Sequence, residues 1–303
     1  MKNPCGVIAP ILTPFEKDGS IAKDLWVSHA KWVLEQGAHY LSPFGTTGEA
    51  LSISIRERLQ ALEWLLEAGI PANRLMPGTG VTALPETVEL TAHAVSRGCA
   101  AVMVLPSFFF RAVGDEGQAR YFSELIERIA SPALKIILYH IPPNTGTPVS
   151  PALTARLNKA YPDTVVAYKD SGGDWDNTQA VMKAAPAISM FPGSETFLTR
   201  GLANGGAGCI SATMNLNAFA IRAVYEGAIA GRDVSAADTA IKAFRKTVQD
   251  AGLVPPMKAV LAVRSGDRRW LRLRAPLRDA TVEEGTALLA QLGSAAAHIG
   301  KAS

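Results

Sequence analysis

Cysteine and one-sided charge are both scarce in this 303-residue chain. Cys5, Cys99 and Cys209 lie far apart and form no CxxC pair, so neither a disulfide framework nor a structural zinc site is indicated. The 30 Lys and Arg residues nearly balance the 27 Asp and Glu residues, for a net charge of +3. Such a small excess gives no reason to expect nucleic acid or an anionic membrane as a partner.

Long hydrophobic runs are also absent. Nothing in the chain approaches the ~18 consecutive apolar residues of a membrane-spanning helix. The N-terminal stretch MKNPCGVIAPILTP (1–14) is broken by three prolines and lacks the apolar core of a signal peptide. With 48% hydrophobic and 19% charged residues, the composition is typical of a globular enzyme. We therefore predict a cytoplasmic protein with no membrane partner.

What the sequence does contain is eight short apolar runs, each followed by a segment of helical pattern. The runs are continuous rather than alternating, which is typical of strands buried on both faces of a parallel sheet. They recur at the spacing of a strand-helix unit, roughly 30 residues. The runs are GVIAPILTP (6–14), YLSPFG (40–45), RLMPGTG (74–80), AAVMVLP (100–106), LKIILYHIP (134–142), TVVAYKD (164–170), ISMFPGS (188–194) and AGCISAT (207–213).

Eight such units predict an α/β fold, a closed (β/α)8 TIM barrel, because nothing in their order marks the reversal of an open doubly wound sheet. Helix starts support the pattern: Ser54 and Glu57 have the spacing of a capping box, and Ser150 precedes a first-turn proline. After about residue 217 the pattern is helical only. We predict a barrel over residues 1–225 that carries the active site, and a C-terminal helical extension over 226–303 packed on it.

Chemistry in such barrels gathers at the C-terminal ends of the strands. These ends are polar here but poor in metal ligands, because only His140 among the histidines lies near one of them. A metal-dependent aldolase is disfavoured, and we predict neither a metal nor a cofactor. The five histidines, which form no cluster, are His29, His39, His93, His140 and His298.

Lys169 ends the apolar run TVVAYKD at the predicted mouth of the barrel. It is either a structural cation, paired with Asp170 or with a helix C-terminus, or a nucleophilic amine that forms a Schiff base with a carbonyl substrate. Tyr139 ends the preceding run and is either a core tyrosine or the proton relay that Schiff-base chemistry needs. The GTTGE segment (45–49) offers hydroxyls and backbone N–H groups suited to a carboxylate. The position of Lys169 at the mouth favours the catalytic interpretation.

The ordered motifs resemble the family of dihydrodipicolinate synthase and N-acetylneuraminate lyase over nearly the whole chain. The resemblance implies a class I, metal-free enzyme in which Lys169 condenses with pyruvate or another 2-oxo acid and Tyr139 is the acid-base group. It also implies a homotetramer, built as a dimer of dimers. The motifs that carry it are GVIAPILTPF, GTTGE, GTG, YxxPxxTG, YKDSGG, GCISATMN, PPMKAVL and LRLRAPL.

The same resemblance assigns further site residues. Thr46 and Thr47 would bind the substrate carboxylate through backbone N–H groups, and a threonine hydroxyl, which we assign to Thr46, would join the proton relay. The residues implied to line the substrate pocket are Gly45, Asn144, Gly193, Ser194 and Ile210.

Two departures from the synthase branch bear on the substrate. Ser107 and Phe108–Phe110 stand where that branch has a tyrosine pair, and Asn144 stands where it has an arginine for the second substrate. Asparagine cannot supply a forked cationic contact, so synthesis from aspartate semialdehyde is disfavoured. The sugar-acid branch fits little better. Aldol cleavage or condensation, dehydration and deamination of a 2-oxo or cyclic imino acid stay open.

Several features keep two interpretations. Phe108–Phe110 indicate either a less polar distal pocket or packing at the core or a subunit contact, and Arg111 either a distal anion site or a solvated charge. The basic stretch 264–276 is interpreted as a solvated or subunit-contact face rather than an anion site. A phosphate-binding isomerase is disfavoured because the glycine run 205–208 precedes its strand instead of following it. A noncatalytic metabolite-binding barrel is disfavoured because Lys169 and Tyr139 are both present.

Overall fold

A computed structural model describes residues 3–299. Seven regular strands lie in this part of the chain, and every pairing between them is parallel. They form two sheets with the orders β2-β1-β7 and β3-β4-β5-β6. The strands are β1 (Gly6–Ala9), β2 (Tyr40–Leu41), β3 (Val102–Val104), β4 (Ile136–His140), β5 (Val165–Asp170), β6 (Ser189–Pro192) and β7 (Gly208–Ile210).

The predicted strand at 74–80 closes one seam between the two sheets, although it is not a regular strand. Leu75 bridges to Leu41 of β2, and Gly78 bridges to Met103 of β3, both in parallel. Pro77 has no N–H to donate, which interrupts the ladder at that position. Gly78 packs so closely on the preceding turn that a side chain there would lie 2.1 Å from the Phe44 carbonyl oxygen.

The second seam lies between β6 and β7. There the backbone N–H of Ala207, immediately before β7, donates to the Met190 carbonyl of β6 at 2.9 Å. With both seams joined, eight strand positions surround one axis. The predicted (β/α)8 barrel is confirmed.

Helices follow the strands and continue into the C-terminal region. Ser54 and Glu57 form the predicted capping box, and Ser150 accepts from the Leu153 N–H at the next predicted start. The helices are α1 (Lys23–Glu35), α2 (Ile55–Glu67), α3 (Leu84–Ser96), α4 (Gly114–Ile129), α5 (Pro142–Thr145), α6 (Pro151–Ala160), α7 (Trp175–Ala184), α8 (Leu198–Ala203), α9 (Met214–Ile229), α10 (Ser235–Asp250), α11 (Val254–Ser265) and α12 (Val282–Leu292). Short 3₁₀ segments are Ala50–Ser52, Ala72–Arg74, Arg111–Val113, Glu195–Phe197, Arg268–Leu271 and Gly293–His298.

Strand residues divide between the barrel interior and the layer under the helices. On β5, Tyr168 packs in the outer layer and its hydroxyl donates to the Val149 carbonyl at 2.7 Å. The next residue, Lys169, faces the other way because successive side chains of a strand alternate. Interior apolar residues fill the barrel below it: Ile8, Met76, Met103, Ile137, Ala167, Phe191 and Ile210.

The C-terminal helices have a hydrophobic cluster of their own and dock on the barrel through ion pairs. Trp270, Met257 and Val260 are buried in this cluster together with Leu12 of the barrel. The basic stretch 264–276, expected to be solvated or to contact a subunit, instead supplies part of this docking. Within it, Arg269 pairs with Asp24 and Glu16, and Arg274 pairs with Glu57. The predicted division at residue 225 falls inside α9.

No helix between residues 3 and 299 combines the length and the apolar character that crossing a lipid bilayer requires.

The buried His29 makes stability depend on acid pH. Its Nε2 lies 2.8 Å from Asn215 Oδ1, and burial lowers the pKa of His29 from 6.5 to about 4. Between those values the unfolded chain binds a proton that the folded chain does not, so stability is present above pH 6.5 and is lost as pH falls. We expect His29 to reduce the free energy of unfolding by about 3 kcal/mol between pH 7 and pH 4.

Urea unfolding of wild type and His29→Gln across this range measures the effect. Glutamine stays neutral and can still donate to Asn215. The wild-type free energy of unfolding should fall more steeply toward pH 4, and parallel curves would contradict the assignment.

Candidate functional site

A cavity of about 700 Å³ lies where the C-terminal ends of the strands meet. Residues that are distant in sequence line it together, because the strands all end at the same rim of the barrel. Of the predicted site residues, it is lined by Thr46, Thr47, Tyr139, Asn144, Lys169, Gly193, Ser194 and Ile210. The geometry thus brings together all of the predicted residues except Gly45.

Lys169 and Tyr139 are direct partners on adjacent strands. The register of β4 and β5 pairs them, and the Lys169 Nζ lies 4.1 Å from the centroid of the Tyr139 ring. Lys169 is only 4% exposed and Tyr139 only 3%. The Tyr139 hydroxyl lies 3.1 Å from Thr46 Oγ1, within hydrogen-bond distance. An amine, a phenol and a hydroxyl therefore follow one another along the cavity wall.

Asp170 does not serve as the counter-ion of Lys169. Its carboxylate accepts from the Gly172 N–H at 2.9 Å, from Asn177 Nδ2 at 2.9 Å and from Thr178 Oγ1 at 2.8 Å. Lys169 makes no ion pair with any residue between 3 and 299. The alternative of a structural Lys169–Asp170 pair is therefore wrong, because the aspartate instead fixes the turn into α7.

The GTTGE segment is held in place by the C-terminal extension. Glu49 has a left-handed backbone, with a φ of 57°, and its Oε1 lies 2.7 Å from Lys258 Nζ. The same ammonium donates to the Thr13 carbonyl at 2.8 Å, while Thr13 Oγ1 donates to the Gly48 carbonyl at 2.8 Å. The backbone next to Thr46 and Thr47 is thus held by Lys258 and Thr13. Sequence reasoning noted PPMKAVL as a motif but assigned Lys258 no role.

Lys258 and Glu49 are both fully buried, so breaking the pair should be costly. Burial lowers the pKa of Lys258, and the Glu49 carboxylate opposes this by favouring the charged amine. We expect Lys258→Met to reduce the free energy of unfolding by about 3 to 5 kcal/mol, because Glu49 is left buried without a cation. The double variant Lys258→Met/Glu49→Gln should recover most of that loss in urea unfolding. Equal losses in the single and double variants would contradict a charge-pair origin.

A second cavity, of about 320 Å³, adjoins the first and shares Thr46, Tyr139, Ile141 and Asn144 with it. Gly45, predicted to line the substrate pocket, lines this second cavity instead. The turn after β2 directs it away from the space above Lys169.

The segment Phe108–Phe110 divides between two environments. Phe108 lines the second cavity, whereas Phe109 and Phe110 are 75% and 70% exposed. Arg111 lies against the turn that follows Asn144, where a side chain on Gly146 would come within 2.7 Å of Arg111 Nε. One phenylalanine of the three is therefore at a pocket, and the other two face outward.

Sequence reasoning missed the side of the cavity that the extension provides. Arg245 and Gln249 of α10 and Leu253 after it line the cavity, as do Thr196 and Phe197. No sequence signal pointed to the α10 residues, because an amphipathic helix packed on a barrel gives the same pattern whether or not its edge reaches the mouth.

Comparison with known proteins gives a match over nearly the full length. A sequence model of the Dihydrodipicolinate synthetase family matches residues 3–295. An uncharacterized DapA-like lyase from Chloroflexus aurantiacus is 33% identical over 96% of this chain and 96% of its own. A 4-hydroxy-tetrahydrodipicolinate synthase from Rhizobium meliloti is 30% identical over 75% of this chain and 76% of its own.

Among solved structures, dihydrodipicolinate synthase from Agrobacterium tumefaciens superposes with a TM-score of 0.87 at 30% identity. The superposition covers 95% of this chain and 98% of that one. The chain therefore belongs to the dihydrodipicolinate synthetase family of TIM-barrel, Schiff-base-forming class I lyases.

Proposed function

We propose that the protein is a Schiff-base lyase or aldolase acting on pyruvate or a larger 2-oxo acid through Lys169, and that no metal takes part in the reaction. The observation that supports this most directly is the buried Lys169 amine beside Tyr139, whose hydroxyl in turn lies 3.1 Å from Thr46 Oγ1. Lys169 is only 4% exposed and ends a strand at the cavity, where its amine can meet the carbonyl carbon of a bound acid.

In the proposed reaction, the neutral Lys169 amine attacks C2 of the 2-oxo acid. One proton moves from nitrogen to the former carbonyl oxygen, and Tyr139 donates a second proton to that oxygen. Water then leaves as the C–N double bond forms, and the imine keeps its N–H proton. Tyr139 carries these protons, with the Thr46 hydroxyl completing the relay. The protonated imine then accepts the electron pair of the bond that breaks. A free ketone accepts such a pair more slowly.

The carboxylate end of the substrate is assigned to the GTTGE turn. Thr46 and Thr47 line the cavity there, and the N–H groups of a glycine-bounded turn suit an anion. Ser194, Gly193, Ile210 and Asn144 border the remaining space. Binding at this turn would point C2 of the acid toward the Lys169 amine.

The bond that breaks after the imine forms defines the alternatives. Cleavage of the C3–C4 bond gives an aldolase. Loss of a proton from C3 gives an enamine, which can expel a hydroxyl or amino group from C4, so the same adduct can serve a dehydratase or deaminase. Synthesis of 4-hydroxy-tetrahydrodipicolinate is less favoured, despite the 30% identical relative of that name, because Asn144 provides no cation.

The test is trapping by borohydride. Protein incubated with pyruvate and then reduced should gain the mass of one pyruvate-derived secondary amine, and peptide mapping should place it on Lys169. Release of pyruvate or of ammonia from a panel of 2-oxo acids would then separate the alternatives. If no acid of the panel forms an adduct, the proposal is overturned.

We also propose that the working form is a cytoplasmic homotetramer, a dimer of dimers. The large exposed apolar side chains Leu51, Phe109, Phe110 and Leu277 support a buried subunit contact next to the second cavity. Sedimentation equilibrium should give four times the 32.1 kDa chain mass, and a monomer at micromolar concentration would contradict this.

A further inference from the structure

Arg245 extends from the C-terminal helix α10 into the wall of the cavity that contains Lys169. Its side chain is only 11% exposed. Its Nη1 donates to Ser211 Oγ at 3.2 Å, and its Nε donates to Gln249 Oε1 at 3.2 Å. Within residues 3–299 its Nη2 has no hydrogen-bond partner. A guanidinium with one unused edge at a cavity wall is ready to bind an anion.

The carboxylate behind Arg245 does not occupy that edge. Glu195 is fully buried and accepts hydrogen bonds from the hydroxyls of Ser211 and Thr213. Its Oε2 lies 3.8 Å from Arg245 Nη1, beyond hydrogen-bond distance. Glu195 therefore compensates the charge of the guanidinium, while two hydroxyls satisfy its oxygens. The donors on Nη2 stay available.

The charges on the cavity wall point to the kind of ligand. Lys169, Asp170 and Arg245 are the charged residues that line it in the described part of the chain. The Asp170 carboxylate keeps its charge, but its oxygens are occupied by hydrogen bonds from Gly172, Asn177 and Thr178, and it forms no ion pair with Lys169 or Arg245 within residues 3–299. Once Lys169 has become a protonated imine, Arg245 remains as the second cation in the cavity.

We propose that Arg245 binds a second carboxylate, at the far end of a 2-oxo acid whose first carboxylate is held at the GTTGE turn. The substrate class is then the dicarboxylic 2-oxo acids. Asn144 is uncharged and cannot make this contact. The cation is supplied instead by Arg245 of α10, in the C-terminal region. The inference rests on the proposed function, because it needs the imine at Lys169.

The test compares acids of equal chain length in borohydride trapping. 2-Oxoglutarate is matched with 2-oxopentanoate, and 2-oxoadipate with 2-oxohexanoate, and the concentration for half-maximal trapping on Lys169 is measured. Wild type should require roughly tenfold to hundredfold less of each dicarboxylate than of its monocarboxylate, as expected for hydrogen bonds to a charged group. Arg245→Gln should remove this preference without removing the adduct.

Two further variants separate binding from a structural role. Lys246→Gln removes a cation from the outer face of the same helix, where the side chain is 74% exposed and paired with Asp250, and it should keep the preference. Arg245→Gln/Glu195→Gln removes both charges, which should restore any stability lost in Arg245→Gln. The preference should stay lost in this double variant.

The outcomes distinguish the two proposals. Adducts with every acid but no preference in wild type, or a preference that returns in the stable double variant, would overturn the role of Arg245 and leave the lyase proposal intact. Absence of any adduct would overturn both.

Discussion

Replacing Lys169 by alanine is expected to lower kcat/KM by about 10⁴-fold or more, as removal of a covalent nucleophile does in other enzymes. In the proposed reaction the Lys169 nitrogen forms the covalent bond to the substrate. No other lysine lines the cavity in the described part of the chain. Without it, the electron pair of the breaking bond has no protonated imine to enter. The measurements are turnover of whichever 2-oxo acid the panel identifies and the mass shift after borohydride.

Two control variants distinguish loss of the nucleophile from loss of folding. Lys169→Met preserves most of the side-chain volume and should be as inactive as Lys169→Ala, with a melting temperature near that of wild type. Lys183→Ala removes an exposed lysine of α7 and should behave as wild type. Equal trapping in wild type and Lys169→Ala would show that another amine carries the adduct.

Replacing Tyr139 by phenylalanine is expected to lower kcat by about 10² to 10⁴-fold, the usual contribution of a positioned acid-base group. The ring that packs 4.1 Å from Lys169 Nζ is kept, but the hydroxyl 3.1 Å from Thr46 Oγ1 is lost. Steps that move a proton should slow, whereas the acid should still bind. KM should therefore change much less than kcat.

Tyr168→Phe is the matched control, since this tyrosine stands on the opposite face of the strand that carries Lys169. Its hydroxyl donates to the Val149 carbonyl, outside the cavity, so its loss should cost about 1 kcal/mol of stability and little activity. Equal activity in Tyr139→Phe and Tyr168→Phe would remove Tyr139 from the relay.

The sequence predicted the barrel because its signals are local and repeated. Each strand is a short apolar run of its own, and helix starts such as Ser54 and Glu57 depend on residues only three apart. The segment at 74–80 is a position where the sequence pattern did not predict how regular the strand is. It occupies the predicted strand position but forms only isolated bridges, and Pro77 has no N–H to donate within it.

The proximity of Tyr139 and Lys169 could also be predicted from the sequence. Tyr139 and Lys169 end consecutive runs, and parallel strands place their ends at one rim. The expectation that Gly45 lines the same pocket depended on the path of a turn, which the pattern of apolar residues does not specify. It lies at the second cavity instead.

By itself, the sequence determined the strand-helix order, the barrel and the place of Lys169 and Tyr139 at its mouth. The tertiary structure alone decided that Lys258 holds the GTTGE turn through Glu49, 209 positions away, and that Arg245 reaches the cavity. The physical reason is the range of the interactions. Periodicity and capping act within a few residues, whereas a buried ion pair or a cavity wall exists only after the C-terminal helices have packed against the barrel.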